Sequence, residues 1–266
     1  MEQDVIDQTL ERIRLALESC KVDEAITALI TLHPADQAEA YADLPPDDQA
    51  EMLPRLDAEE TADLFEHLED DDVAQAVSQL SSDRLADVLD EMQPDDAADV
   101  LGDLSPEHAA NVIAQMGAEQ AEDVVPLLAY EDDTAGGLMT PDYPYLHPQM
   151  TCQAAIDLLR AIHLNGDTPY YLYVLDSNDR LIGNVGLRDL IVASPNAPIE
   201  SITKKDIITV PSGTDQEEVA RLFQRYGLLT LPVVDAEGKL VGIINHDDVT
   251  NVIEEEVTED MYHLAN

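Results

Sequence analysis

The stretches "LYVLDSNDRLIGNVGLRDLI" (residues 172–191) and "LPVVDAEGKLVGIINHDDVT" (231–250) align with each other without a gap. Leu172/Leu231, Val174/Val233, Asp176/Asp235, Leu181/Leu240, Gly183/Gly242 and Asp189/Asp248 are identical across the pair. In each, a β-rich apolar run meets a polar turn, a second apolar run follows, and the spacing then becomes helical, so each reads as strand, tight turn, strand, helix. An amphipathic helix is expected upstream of each, over 151–162 and over 214–226, the second with Thr214 and Glu217 spaced as a capping box. The second half is therefore an α/β tandem of two β-α-β-β-α units.

Outward from this pair, toward the N-terminus, the period changes. Leu32, Leu44, Leu56, Leu68, Leu80, Met92, Leu104, Met116 and Leu128 fall on one twelve-residue register. Six positions after the first seven of these come Ala38, Ala50, Ala62, Ala74, Ala86, Ala98 and Ala110, and nine positions after the first eight come Tyr41, Leu53, Phe65, Val77, Leu89, Leu101, Ile113 and Val125. Spacings of three and six are helical, and Pro34, Pro46, Pro94 and Pro106 suit a helix's first turn. Helices this short are unstable alone, so stacked neighbours must bury the apolar stripe. The expected fold is an all-α solenoid of short helices over residues 1–133, with one or two capping helices at its start, followed by the α/β tandem.

Charge divides the chain the same way. Of 57 acidic and 13 basic residues, 37 acids but only 5 bases lie in 1–133, and no base lies between Arg84 and Arg160. A formal charge of −44 on a chain 45% hydrophobic describes the surface of a folded protein. Such a surface repels nucleic acid and anionic lipid and attracts cations and basic proteins. Acids three positions into each repeat (Asp47, Glu59, Asp71, Asp83, Asp95, Glu107, Glu119) sit in a first turn, where the helix dipole favours them. Seven positions in, Glu51, Asp63, Asp87, Asp99 and Asp123 lie mid-helix without that reason. Asp95 and Asp99 share one face at i, i+4, and a solvated face and a cation site are both open readings for them.

Cys20 and Cys152 are too few for a disulfide framework, which fits a reducing compartment. No apolar run approaches the ~18 residues of a membrane span, so the chain reads as soluble. There is no nucleophile-elbow, zinc-protease or phosphate-loop motif and no Cys/His cluster, so a non-enzymatic role is expected. Clusters of hard oxygen ligands remain at Asp95/Asp99, "TDQEE" (214–218, with Asp215, Glu217 and Glu218), "HDDV" (246–249) and "EEEVTED" (254–260), a chemistry suited to Mg²⁺ or Ca²⁺ rather than Zn²⁺.

At "DDTAGGLMTP", with the acidic repeats before it and the paired units after it, the chain closely resembles the cytosolic part of MgtE-type magnesium transporters. The resemblance covers essentially the whole chain. It implies an N domain over 1–133, CBS domains over 138–200 and 201–258, and the start of a connection to an absent transmembrane pore over 259–266. It further implies a homodimer through the CBS domains, on the cytoplasmic side of the cell membrane. Shared Mg²⁺ ions would hold a compact state that keeps the pore shut. Carried over, the ligands fall on Asp63, Asp95 and Asp99 in the N domain, on Asp215, Glu217 and Asp248 in the second CBS domain, and on Glu256, Glu259 and Asp260 in the tail. Backbone carbonyls near Gly136 and Gln224 complete the set. A shift of one repeat would move the Asp95/Asp99 pair to Asp83/Asp87, and Gly227 and Asn251 stand where the family can place an aspartate. The resemblance also implies adenosine-nucleotide binding (ATP) through Tyr171 for the base and Arg188 and Asp189 for phosphate and ribose, although Asp189 could simply cap its helix and Gly186 stands where a hydroxyl residue is common. Two other functions are compatible with the residues: a nucleotide-sensing CBS module without divalent sensing, and an acidic scaffold adapted to monovalent salt.

Overall fold

The structure, a computed structural model, describes residues 2–161, 171–250 and 252. The chain divides into two units, Met1–Val125 and Pro126–Asn266.

In the first unit, α1 (Glu2–Glu18) and α2 (Val22–Leu29) pack together and precede the repeat. The repeat helices are α3 (Pro34–Ala42), α4 (Pro46–Met52), α5 (Ala58–Phe65), α6 (Asp70–Val77), α7 (Ser82–Leu89), α8 (Pro94–Gly102), α9 (Pro106–Ile113) and α10 (Ala118–Val124). Every one opens on the same twelve-residue register. Proline fills the first helical position of α3, α4, α8 and α9, where its missing N–H is not needed. Asp57 and Glu60 form a reciprocal capping box on α5, and Ser81 and Ser105 cap α7 and α9.

The helices stack on their next neighbour but one, α3 on α5, α5 on α7, α7 on α9, and α8 on α10. The stripe they bury differs in part from the expected one. The position eight after the repeat leucine is buried in every unit, by Ala40, Met52, Leu64, Ala76, Val88, Val100, Val112 and Val124. With the residues three before and one after it, this position makes an i, i+3, i+4 face. The alanines at six flank that face. Ala38, Ala62, Ala86 and Ala98 are buried, while Ala50, Ala74 and Ala110 are exposed. Three of the buried ones lie on α3, α5 and α7, helices of one stacked series. Polar tethers join more distant units as well: Arg84 Nη2 donates to Leu56 O at 2.6 Å, the Asp90 carboxylate at the end of α7 accepts the N–H of Gly117, the N-cap of α10, at 2.8 Å, and Gln120 Nε2 of α10 donates to the carbonyls of Leu89 and Met92.

The second unit holds two three-stranded sheets of the same design. In the first, β1 (Tyr145–Leu146) is parallel to β2 (Tyr171–Leu175), which is antiparallel to β3 (Leu181–Gly186). In the second, β4 (Val210–Pro211) is parallel to β5 (Thr230–Val234), which is antiparallel to β6 (Leu240–Asn245). Helices α11 (Cys152–Ala161) and α12 (Leu187–Val192) belong to the first repeat, and α13 (Gln216–Tyr226) belongs to the second with a helix beginning at His246. The identical Asp176 and Asp235 shape the hairpin turns. Asp176 accepts the N–H groups of Asn178 and Arg180, which hold its pKa below the usual carboxylate value, and Asp235 accepts those of Glu237 and Lys239. Asp179 and Gly238 take the left-handed conformation at the two turns.

Each sheet is extended at its edge by the segment that precedes the other repeat. Thr140 pairs with Ile243 of the second sheet, and Lys204 pairs with Asn184 of the first. Upstream in these segments, Ala135 N–H donates to Thr214 O and Gly136 N–H to Ser212 O, while Ile199 N–H donates to Met150 O and Glu200 N–H to Pro148 O. This exchange explains the shared glycines. A Cβ on Gly183 would lie 2.2 Å from Lys204 O, and one on Gly242 would lie 2.7 Å from the Met139 side chain. Between the sheets, Tyr143 and Tyr173 meet edge-to-face at 6.3 Å, Tyr173 hydrogen-bonds Thr230 across the repeats, and the Tyr143 hydroxyl donates to Leu240 O.

Two measurements follow from this packing. Gly183→Ala should lower unfolding free energy in urea by about 1–3 kcal/mol, and Gly242→Ala by less, since a methionine side chain can turn aside and a paired backbone carbonyl cannot; equal losses would contradict the exchanged-edge account. Burial pushes the Tyr143 and Tyr173 phenols from 10.0 up to about 12. The fold therefore favours the neutral phenol, so this contribution is complete below pH 10 and is lost as pH rises toward 12. Tyr173→Phe should flatten that alkaline loss in a pH series of denaturation midpoints, and an unchanged slope would remove Tyr173 as its source.

Candidate nucleotide and cation sites

The three residues assigned to nucleotide gather at one edge of the first repeat. Tyr171 and Gly186 are register partners across β2 and β3, and Asp189 Oδ2 lies 3.5 Å from where a Cβ on Gly186 would stand. Gly186 is the N-cap residue of α12 and makes no side-chain cap, as glycine has none. Asp189 is the third residue of that helix, and its carboxylate is ion-paired with Lys204 Nζ at 2.7 Å. That contact, with a smaller contribution from Tyr171, raises the Lys204 pKa. Arg188 is exposed beside them. Lys204 escaped the sequence reading. The available signal was "ITKKD" (202–206), a basic pair in a chain with few bases, at the place where the first crossing segment has "LMTPD" (138–142).

The corresponding edge of the second repeat differs in charge. Across the gapless alignment Thr230 stands for Tyr171, Asn245 for Gly186, Asp247 for Arg188 and Asp248 for Asp189, and Thr140 is the crossing residue in place of Lys204. Asp248 accepts the Asn245 N–H at 3.0 Å.

The carboxylates assigned to cations occupy varied settings. Asp63 and Asp99 are exposed, whereas Asp95 is only 6% exposed, unlike the exposed first-turn acids Asp47, Glu59, Asp71, Asp83, Glu107 and Glu119. The helix dipole accounts for acids in that register, but not for burying one of them. Asp215 is the N-cap of α13 and accepts the Glu217 N–H at 2.9 Å, so the cap falls one residue later than the Thr214 capping box expected from sequence. The Glu217 carboxylate is ion-paired with Arg221 one turn along. Gln224 is exposed on α13, and Gly227 ends that helix in the left-handed conformation. Gly136 is buried against the Tyr130 ring, and its N–H is held by Ser212 O. Glu256, Glu259, Asp260 and Asn251 lie outside the described residues. Among the described residues no three His, Cys, Asp or Glu side chains gather closely enough to hold a metal ion. The donor set is nonetheless all oxygen and partly exposed, which fits Mg²⁺, an ion that keeps several waters and needs only one or two carboxylates. A cavity of about 560 Å³ in the first repeat, with Val174 and Ile182 among its walls and His147, Asp176 and Lys205 among its polar groups, is lined by none of these candidates.

Comparison with known proteins accords with both halves. Residues 32–133 match the model of the MgtE intracellular N domain, and residues 135–196 and 199–255 match the CBS domain. A crystal structure described as the soluble part of a magnesium transporter superposes with a TM-score of 0.83 at 30% identity, covering 94% of this chain and 99% of that one. The chain belongs to the MgtE family. The cytosolic domain of the Mg²⁺ channel MgtE in complex with ATP superposes with a TM-score of 0.85 at 34% identity, covering 91% of this chain and 99% of that one. The magnesium transporter MgtE of Thermus thermophilus is 48% identical over 139 residues, which are 52% of this chain and 31% of that protein. This MgtE chain thus matches about a third of such a transporter, and no helix among its described residues is long and apolar enough to cross a membrane.

Asp215 offers a separation of structural from ligand roles. Asp215→Ala removes an N-cap and should destabilise the second unit by about 1 kcal/mol in metal-free buffer. A variant that melts like the native chain without metal would show that Asp215 is not needed as a cap.

Proposed function

We propose that this chain is the Mg²⁺-sensing regulatory region of an MgtE magnesium transporter. The observation that carries the reading is the charge division: the N domain holds 37 of the 57 acids and 5 of the 13 bases, on a fold that matches cytosolic MgtE. Without divalent ions, carboxylates facing one another at ~6 Å repel by roughly 0.7 kcal/mol per pair in a water-like dielectric. Several such pairs are enough to separate two domains and too little to unfold their cores. Mg²⁺ shared between the N-domain acids Asp63, Asp95 and Asp99 and the acids Asp215, Glu217 and Asp248 of the second CBS domain reverses the sign. The domains close as Mg²⁺ rises. In the whole transporter, a homodimer through the CBS domains would pass that closure through Glu256, Glu259 and Asp260 to the pore at the cytoplasmic face, giving feedback on cytosolic Mg²⁺.

A second ligand is favoured by a separate observation, the gathering of Tyr171, Gly186, Asp189 and Lys204 at one edge of the first repeat. Its chemistry, an aromatic ring beside a carboxylate and an ammonium, suits an adenosine nucleotide, and the structurally similar MgtE domain was solved in complex with ATP. The nucleotide adds to the Mg²⁺ reading and does not compete with it.

Small-angle scattering with and without millimolar Mg²⁺, at fixed ionic strength, tests the switch. The radius of gyration should fall with Mg²⁺, and the triple variant Asp95→Asn, Asp99→Asn, Asp248→Asn should bind fewer Mg²⁺ ions by calorimetry and compact less. An identical radius with binding confirmed would defeat the switch. Equal compaction by K⁺ would favour a salt-adapted acidic surface instead.

A further inference from the structure

Resting on the nucleotide reading, we infer that Lys204 is the residue that makes the first-repeat site select phosphorylated nucleosides over free ones. Its backbone is fixed on the sheet by two hydrogen bonds with Asn184, Lys204 N–H to Asn184 O at 2.9 Å and Asn184 N–H to Lys204 O at 3.0 Å. That approach depends on Gly183, because a Cβ there would stand 2.2 Å from Lys204 O. The side chain then meets Asp189 at 2.7 Å, with both groups still partly open to solvent, 60% for Lys204 and 41% for Asp189.

This ion pair leaves a specific set of unused valences. An ammonium has three N–H donors and a carboxylate about four lone-pair positions. After one mutual contact, donors remain on Lys204 and acceptors on Asp189, side by side. Ribose hydroxyls need acceptors and a phosphate needs donors, so a sugar 5′-phosphate complements the pair as a whole. Adenosine uses only the Asp189 half. Arg188, on the first turn of α12, adds a second exposed cation one residue before Asp189. The cations matter more here than in an ordinary protein, since an anion approaching a chain of formal charge −44 meets long-range repulsion that only local positive charge can offset. The second repeat supplies the contrast. There Thr140 and Asp247 stand in place of Lys204 and Arg188, an uncharged and an acidic residue where the first repeat has two cations.

The test is calorimetric titration of the whole chain with adenosine, AMP and ATP in divalent-free buffer, for the native protein, Lys204→Met and Lys204→Arg. Methionine keeps the length and the backbone pairing and removes the charge; arginine keeps the charge. Lys204→Met should weaken AMP and ATP by about tenfold or more, as expected for a lost charge-assisted hydrogen bond, while adenosine is unchanged or tighter, and Lys204→Arg should retain most of the nucleotide affinity. Loss of adenosine in step with ATP, or unchanged ATP binding by Lys204→Met, would refute the role of Lys204 and leave the nucleotide site standing. No binding of any of the three by the native chain would bring down the nucleotide reading itself, and Lys204 with it.

Discussion

Carboxylates outnumber cationic groups 57 to 13 in this chain, and the fold depends on where that repulsion is allowed to act. The repeat helices are seven to nine residues long, too short to persist without neighbours. What holds them is one narrow stripe, completed in every unit by the residue eight positions into the repeat. Acids are kept off that stripe. Most of those three positions in stand exposed in a first turn, where the dipole compensates them, and those at seven point to water, as Asp63 and Asp99 do. A unit built this way tolerates its charge as long as nothing equally negative is pressed against it, and that condition is what a divalent cation can relieve.

The period was legible because the constraint producing it is local. A helix start needs a cap and a turn, so Pro34, Pro46, Pro94 and Pro106 mark it in the sequence, and the structure starts those helices there. Which face is buried was only half legible. The register at eight mixes alanine, methionine, leucine and valine, so it shows less as a repeated letter than the alanines at six, three of which are exposed. Stacking on the next neighbour but one decides this, and it is a property of the array rather than of any single unit. The Asp215 cap was misread for a similar reason. Thr214 fits a capping pattern, but its backbone O accepts the Ala135 N–H and its N–H donates to Pro211 O, so the helix begins beyond it.

Among the identical residues of the two repeats in the second unit, the leucines and valines fill the core, while two pairs have roles set by the backbone. Asp176 and Asp235 accept turn N–H groups, and Gly183 and Gly242 make room for a crossing segment that comes from elsewhere in the chain. The glycines could be flagged from the alignment. Their cause could not, because the segments that pack on them lie far away in sequence and share almost no letters, "LMTPD" against "ITKKD".

The proposed sites rest on the differences between the repeats. Asp189 and Asp248 occupy the same position of the same unit, each on the first turn of a helix that follows the hairpin. Among the differences around them is the residue laid across the sheet edge by the exchanged segment, a lysine in one case and a threonine in the other. An acid with a lysine at 2.7 Å is locally near neutral and presents donors and acceptors together, the complement of a sugar phosphate. At the second edge the crossing residue is uncharged and Asp247 stands in place of Arg188. One duplicated scaffold, with each sheet met at its edge by the segment that precedes its twin, thereby presents two edges that differ in charge at the crossing residue and on the helix that follows the hairpin.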